Sequence, residues 1–242
     1  MLLIADSARL KAAVQSPGRA ISVLRALAKG HWCRTWCRLR GVRFEAGRNL
    51  RVFGTLSIKG PGLVRFGDDV VVDMIVTPWT YDSAARIEVG DGTFLNGTQF
   101  GCRHHIVVGA NSILAAASIM DTNFHSVDID RHDQTAQVKC APVRIGANVW
   151  IAARAGILPG TTIGDNSVVG FGAVCSGEYP ANAIIASPRA TVVRELTSSP
   201  AATFAPCAPV AGKAGHYVPR SGGELLQQRT IGEHLARSDH DG

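Results

Sequence analysis

The sequence predicts an all-β solenoid, a parallel β-helix, carried between a basic helical N-terminus and a tail of small residues. Two observations lead to it. From Val108 to Val174 an aliphatic residue recurs every six positions, at Val108, Leu114, Ile145, Ile151, Ile157, Ile163 and Val169. The count breaks once, across the polar segment 121–142, which contains His125. A six-residue period is the signature of a parallel β-helix, in which three such units wind one triangular coil and the aliphatic openers stack inside it.

The rest of the hexad agrees. Its fourth position is Asn111, Asn148, Gly160, Asn166 or Gly172, residues that accept a positive φ and so turn a tight corner. Its fifth position is small or β-branched, at Ser112, Ser118, Val149, Ala155, Thr161, Ser167 and Ala173. Ala117 and Arg154 occupy fourth positions against this rule, so those two corners are expected to differ locally.

Before the regular coils, residues 7–16 predict a short helix capped by Asp6 or Ser7 and ended by Pro17-Gly18. A second helix is expected over about 19–39, where Ile21, Leu24, Ala28, Trp32, Trp36 and Leu39 recur at threes and fours as one stripe. That stripe suits a cap over the open solenoid end. With the neighbouring cations it also suits a membrane-surface helix. The repeat enters loosely from Val42, with FGDDVV at Phe66 and VGDGTF at Val89 as its better early units, and 77–86 interrupting as a side loop. After Val174, Pro and Ala are expected to end the regular coils. The chain therefore divides into a basic segment (1–45), the β-helix with its inserted loop (46–195) and an Ala/Pro/Ser-rich tail (196–242) in which 224–237 could form a short helix interrupted by Gly232.

Charge is unevenly spread. Residues 1–51 hold eleven Lys/Arg against Asp6 and Glu45, +9, while the remainder holds fourteen against seventeen acids, −3. The repeat surface is therefore not a nucleic-acid binder, and anionic neighbours are expected at the N-terminus. No apolar run reaches the ~20 residues of a membrane span, and the N-terminus lacks the pattern of a signal peptide. The six scattered cysteines read as reduced thiols. Cys33 and Cys37 have no second pair to complete a zinc site. A cytoplasmic protein, with its basic arm at the inner face of a membrane, is the expected setting.

Three motifs identify a resemblance: DTNFHSVD at 121–128, VRIGANVWIAARAGILPGTTIGDNSVVGFGAV at 143–174, and SPRATVVRE at 187–195. They resemble the hexapeptide-repeat acyltransferases, in the branch of maltose and galactoside O-acetyltransferases. The basic helix followed by GVRF is most similar to the O-acetyltransferases of polysaccharide synthesis. The resemblance implies a left-handed coil, a homotrimer with active sites between subunits, and acetyl-CoA as donor to a hydroxyl of a sugar or glycan. It places His125 as the catalytic base, which such chemistry needs because a sugar hydroxyl is a weak nucleophile until a positioned imidazole takes its proton. Asp121, Asp128 or a backbone carbonyl would orient that ring. Asn96 falls where the family stabilises the intermediate. Trp150, Ala153, Ser176, Arg189 and Arg194 fall along the donor path, with no metal implied. Serine or an antibiotic remain alternative acceptors. A zinc enzyme of the carbonic anhydrase type, using His104 or His105 with His125 and His132, is a competing class that their spacing does not favour.

Overall fold

The computed structural model describes residues 17–188, apart from 128, 130, 131 and 134. The expected helices at 7–16 and 224–237 and the rest of the tail lie outside the described residues, as do Asp128, Arg189 and Arg194.

Among the described residues, twenty short strands form three parallel sheets, each sheet taking every third strand, so they wind about seven triangular coils. The first face holds β1 (Phe44–Ala46), β4 (Leu63–Phe66), β7 (Arg86–Val89), β10 (His105–Val108), β13 (Val143–Ile145), β16 (Thr162–Ile163) and β19 (Glu178–Tyr179). The second holds β2 (Arg51–Val52), β5 (Val71–Asp73), β8 (Phe94–Asn96), β11 (Ile113–Ala115), β14 (Trp150–Ile151), β17 (Val168–Val169) and β20 (Ile184–Ile185). The third holds β3 (Thr55–Leu56), β6 (Ile75–Thr80), β9 (Gln99–Cys102), β12 (Ser118–Met120), β15 (Gly156–Ile157) and β18 (Val174–Cys175). The solenoid thus starts at Phe44, close to the loose entry expected from Val42, and continues past Val174 to Ile185, beyond the point where Pro and Ala were expected to end the regular coils.

The openers are the core. Leu114, Ile151, Ile157 and Val169 are fully buried, and Cys175 continues the ladder of Ile157. Register holds through hydrogen bonds between successive coils and through corner side chains. At the corner from face one to face two, Asn49, Asp69, Gly92, Asn111, Asn148, Asn166 and Asn182 all have positive φ. The Asn148 amide donates to Asn166 Oδ1 (2.9 Å), and the Asn166 amide to Asn182 Oδ1 (3.2 Å). Small fifth-position residues fill the corner interior: Ser112 Oγ accepts from Val149 N (3.1 Å) and donates to Gly146 O (3.2 Å).

The two exceptional corners separate. Arg154 turns with φ 60 like its neighbours. In the unit LAAASI the turn falls instead at Ala116 (φ 42), and Ala117 is buried in the place expected for Ser118. The cause is a short side: the inward residues there are Leu114 and Ile119, five apart, as Leu95 and Phe100 are one coil earlier. Residues 77–80 belong to β6, so the first side loop is only 81–85.

α1 (Pro17–Leu39) lies on the first coil. It caps the core with the face bearing Ala26, Gly30 and Cys37, not with the tryptophan stripe. A Cβ at Gly30 would strike the Leu50 carbonyl, so only glycine permits this approach. Burial under the cap pushes the Cys33 thiol up to about 12.

Candidate functional site

The insertion 121–142 leaves the coil at the corner from face three to face one and returns through a short stem. Ala141 N donates to Asp121 O (2.9 Å), Asn123 N to Lys139 O (3.1 Å), and Thr122 bridges Cys140 in antiparallel fashion. Asp121 is fully buried. Its Oδ1 accepts the Arg103 amide (2.7 Å), and its Oδ2 accepts the His104 amide (2.7 Å) and the Cys102 thiol (3.3 Å). Burial, reinforced by this carboxylate, pushes the Cys102 thiol well above its ordinary range, so it remains a donor. Asp121 therefore locks the root of the insertion to the preceding coil, and the bonds it makes are to that coil's backbone and thiol.

Beyond the root, Phe124 takes a positive φ of 63 and fits over Gly101, where any Cβ would collide with its ring. Tyr81 packs edge-on against Phe124 (4.8 Å) and stacks on Trp79 (5.0 Å), with the Lys59 ammonium 4.9 Å above that indole. This column braces the segment that presents His125. The His125 amide donates to Asn123 O (2.8 Å), and its side chain is exposed. It opens on a cavity of about 820 Å³ lined also by Thr122, Ser126, His132, Leu158 and Pro159.

The other expected site residues lie elsewhere on the coils. Asn96 ends β8 at the corner between faces two and three, where its Oδ1 is buried and lacks a hydrogen-bond partner. Ala153 is at the same corner two coils on, its carbonyl accepting the Gly172 amide (3.0 Å). Trp150 stands outward on face two, 50 % exposed. Ser176 is exposed at the corner that carries the insertion, its amide donating to Tyr179 Oη (3.1 Å). One chain thus brings neither Asn96 nor Trp150 to the corner of His125. Among the described residues, no three His, Cys, Asp or Glu side chains converge as a metal site would require.

Two features were not predicted from sequence. One is the aromatic column behind Phe124, whose members are brought together only by coil stacking. The other is a ladder on the outside of face two, pairing Val71, Phe94, Ile113, Trp150, Val168 and Ile184 in register. Its signal was present: five of these six are sixth residues of their hexads, and all are apolar.

Residues 142–177 match the family model described as bacterial transferase hexapeptide (six repeats). The chain is 30 % identical over 149 residues to the Escherichia coli protein named "Putative colanic acid biosynthesis acetyltransferase WcaF", covering 60 % of this chain and 72 % of that one. It is 33 % identical over 91 residues to Escherichia coli galactoside O-acetyltransferase, covering 38 % of this chain and 44 % of that one. With the Saccharomyces cerevisiae protein named "Putative acetyltransferase YJL218W" it shares 32 % identity over 133 residues, 54 % of this chain and 66 % of that one. The last two matches thus span less than two thirds of those relatives. Among solved structures, it aligns with the Vibrio cholerae hexapeptide-repeat acetyltransferase VCA0836 at a TM-score of 0.42 and 21 % identity, over 78 % of this chain and 94 % of that one.

Proposed function

The chain belongs to the hexapeptide-repeat transferase family, in which its curated relatives are acetyltransferases, and from that premise we propose that it transfers an acetyl group from acetyl-CoA to a hydroxyl of a sugar or glycan. The observation that carries the reading is His125, exposed at the mouth of a cavity and held by an insertion rooted in rigid coil.

In the proposed reaction the His125 imidazole takes the acceptor hydroxyl's proton as the oxygen attacks the thioester carbonyl. The new C–O bond forms, the C–S bond breaks, and the imidazolium returns the proton to the departing thiolate. The Asn96 amide stabilises the intermediate oxyanion through its N–H. Asp121 acts at one remove, as a positioning residue for the loop. Trp150, Ala153 and Ser176 contribute surface to the acetyl-CoA path, with Arg189 and Arg194 assigned to its phosphates by resemblance alone.

The active unit in this proposal is a homotrimer. Asn96 and the insertion occupy different corners of the coil, so a second copy is needed to bring them together. The apolar ladder on face two gives that copy a surface to pack on. No helix of the described residues is long and apolar enough to cross a membrane. In this proposal the chain works in the cytoplasm, with peripheral membrane contact through α1.

Thiol release from acetyl-CoA, screened over a panel of glycan acceptors, tests the reading. His125→Ala is expected to lower kcat by ~10²–10⁴-fold with an unchanged circular dichroism spectrum. Equal rates for variant and wild type would sink the mechanism.

A further inference from the structure

α1 has two apolar faces, and the solenoid uses one of them. Val23, Ala26, Leu27, Gly30, Cys33 and Cys37 turn inward. At 100° per residue, Ile21, Leu24, Trp32, Trp36 and Leu39 lie on the opposite side and point away from the protein. Leu24, Trp32 and Leu39 are 64 %, 63 % and 75 % exposed.

The charge around that face has one sign. Arg19, Arg25, Lys29, Arg34 and Arg38 lie in the helix and Arg40 just after it, and no acid occurs between Asp6 and Glu45. Lys29 and Arg34 reach back to the carbonyls of Gly54 and Gly47 and fix the helix to the first coil. None of these cations forms an ion pair among the described residues. Arg40 lies over the Trp36 ring (5.5 Å), which in turn stacks on Trp32 (5.9 Å).

Exposed tryptophans in a stripe bordered by cations match the interfacial zone of an anionic bilayer, where indoles occupy the headgroup level and Lys/Arg meet lipid phosphate. A second copy of the chain is a poor occupant, because it would set the same cations against each other. We infer that the outward face of α1 docks flat on an anionic lipid surface, with the coils rising from it.

The docking fixes the height of the site. The insertion leaves after the fourth coil, three to four rungs of ~4.8 Å from the first, and the helix adds a layer of ~10 Å. His125 therefore stands about 25–30 Å from the lipid. Granting the acetyl-transfer reading, the acceptor is a glycan tethered to that membrane and several sugars long.

The test uses the full chain with two sets of vesicles, phosphatidylcholine alone and equal parts phosphatidylcholine and phosphatidylglycerol. Wild type is expected to sediment with the anionic vesicles only, less so at high salt, with tryptophan emission shifted to the blue. Trp32→Ala with Trp36→Ala, both exposed, is expected to cut binding at least tenfold, and Arg25→Glu with Arg38→Glu to abolish it. Wild type staying in solution, or the tryptophan variant binding as wild type does, overturns the inference. So does anionic-independent self-association through this face in sedimentation velocity. His125→Ala keeps full vesicle binding, so failure of the chemistry and failure of the docking are told apart. Labelled acetyl transfer to isolated bacterial membranes is expected to fall about tenfold in the tryptophan variant; equal incorporation overturns the tethered acceptor.

Discussion

At the scale of single residues, Asp121 and His125 are four apart in one motif, and their types suggest a carboxylate orienting an imidazole. The structure gives the carboxylate other work. Its oxygens accept two amides and a thiol from the preceding coil. Removing it leaves the two amides unpaired, at ~1–3 kcal/mol each, while the thiol keeps Arg86 O as acceptor. Asp121→Ala is therefore expected to destabilise the protein by about 2–6 kcal/mol, read from urea unfolding. The midpoint of the pH–rate profile should stay where wild type has it. A shifted midpoint with unchanged stability would restore Asp121 as the partner of His125. The motif alone could not separate these roles, because the deciding groups are the amides of Arg103 and His104, which coil stacking brings to it. The exposed position of His125 was legible for the opposite reason: it stands in an interruption of the regular count, and a local pattern suffices to place it on an inserted loop.

At the scale of elements, legibility follows period. The opener ladder and the Asn corners repeat locally and were readable; the short side at Leu114–Ile119 was not, because a count of six carries no information on where one side loses a residue. The corner between faces one and two gives a direct test. Asn166 combines φ 59 with a side-chain ladder. Asn166→Val meets the left-handed penalty of ~1–2 kcal/mol and loses both amide bonds, for a total of about 2–3 kcal/mol. Asn166→Gly keeps the backbone and loses only the ladder, about 1 kcal/mol. Denaturant midpoints separate the two, and equal losses would mean that φ is not the reason for asparagine there. α1 teaches the complementary lesson. Its more apolar stripe was the natural choice for the cap, yet the cap requires small residues. Gly30 lies against the Leu50 carbonyl and Ala26 is buried, a fit that tryptophan cannot make. Hydrophobicity identified two faces; the closeness of helix to coil decided which one turned inward.

At the scale of the molecule, a triangular solenoid distributes its corners around an axis, and residues that share a reaction need not share a corner. Asn96 turns with the corner between faces two and three, and the insertion of His125 departs from the next. If the active site forms between subunits, each site draws its histidine from one chain and its asparagine from a neighbour. Two inactive variants then complement each other. His125→Ala and Asn96→Ala, prepared separately, are each expected to lose at least ~10²-fold in rate. When they are unfolded together in equal amounts and refolded, about one interface in four pairs an intact His125 with an intact Asn96. Thiol release should recover to about a quarter of the wild-type rate. A site built within one chain predicts no recovery, since every chain in the mixture lacks one of the two groups. Recovery would also make that neighbour a candidate partner for the outward ladder of Phe94, Ile113 and Trp150, which lies on one of the two faces that meet at the corner of Asn96.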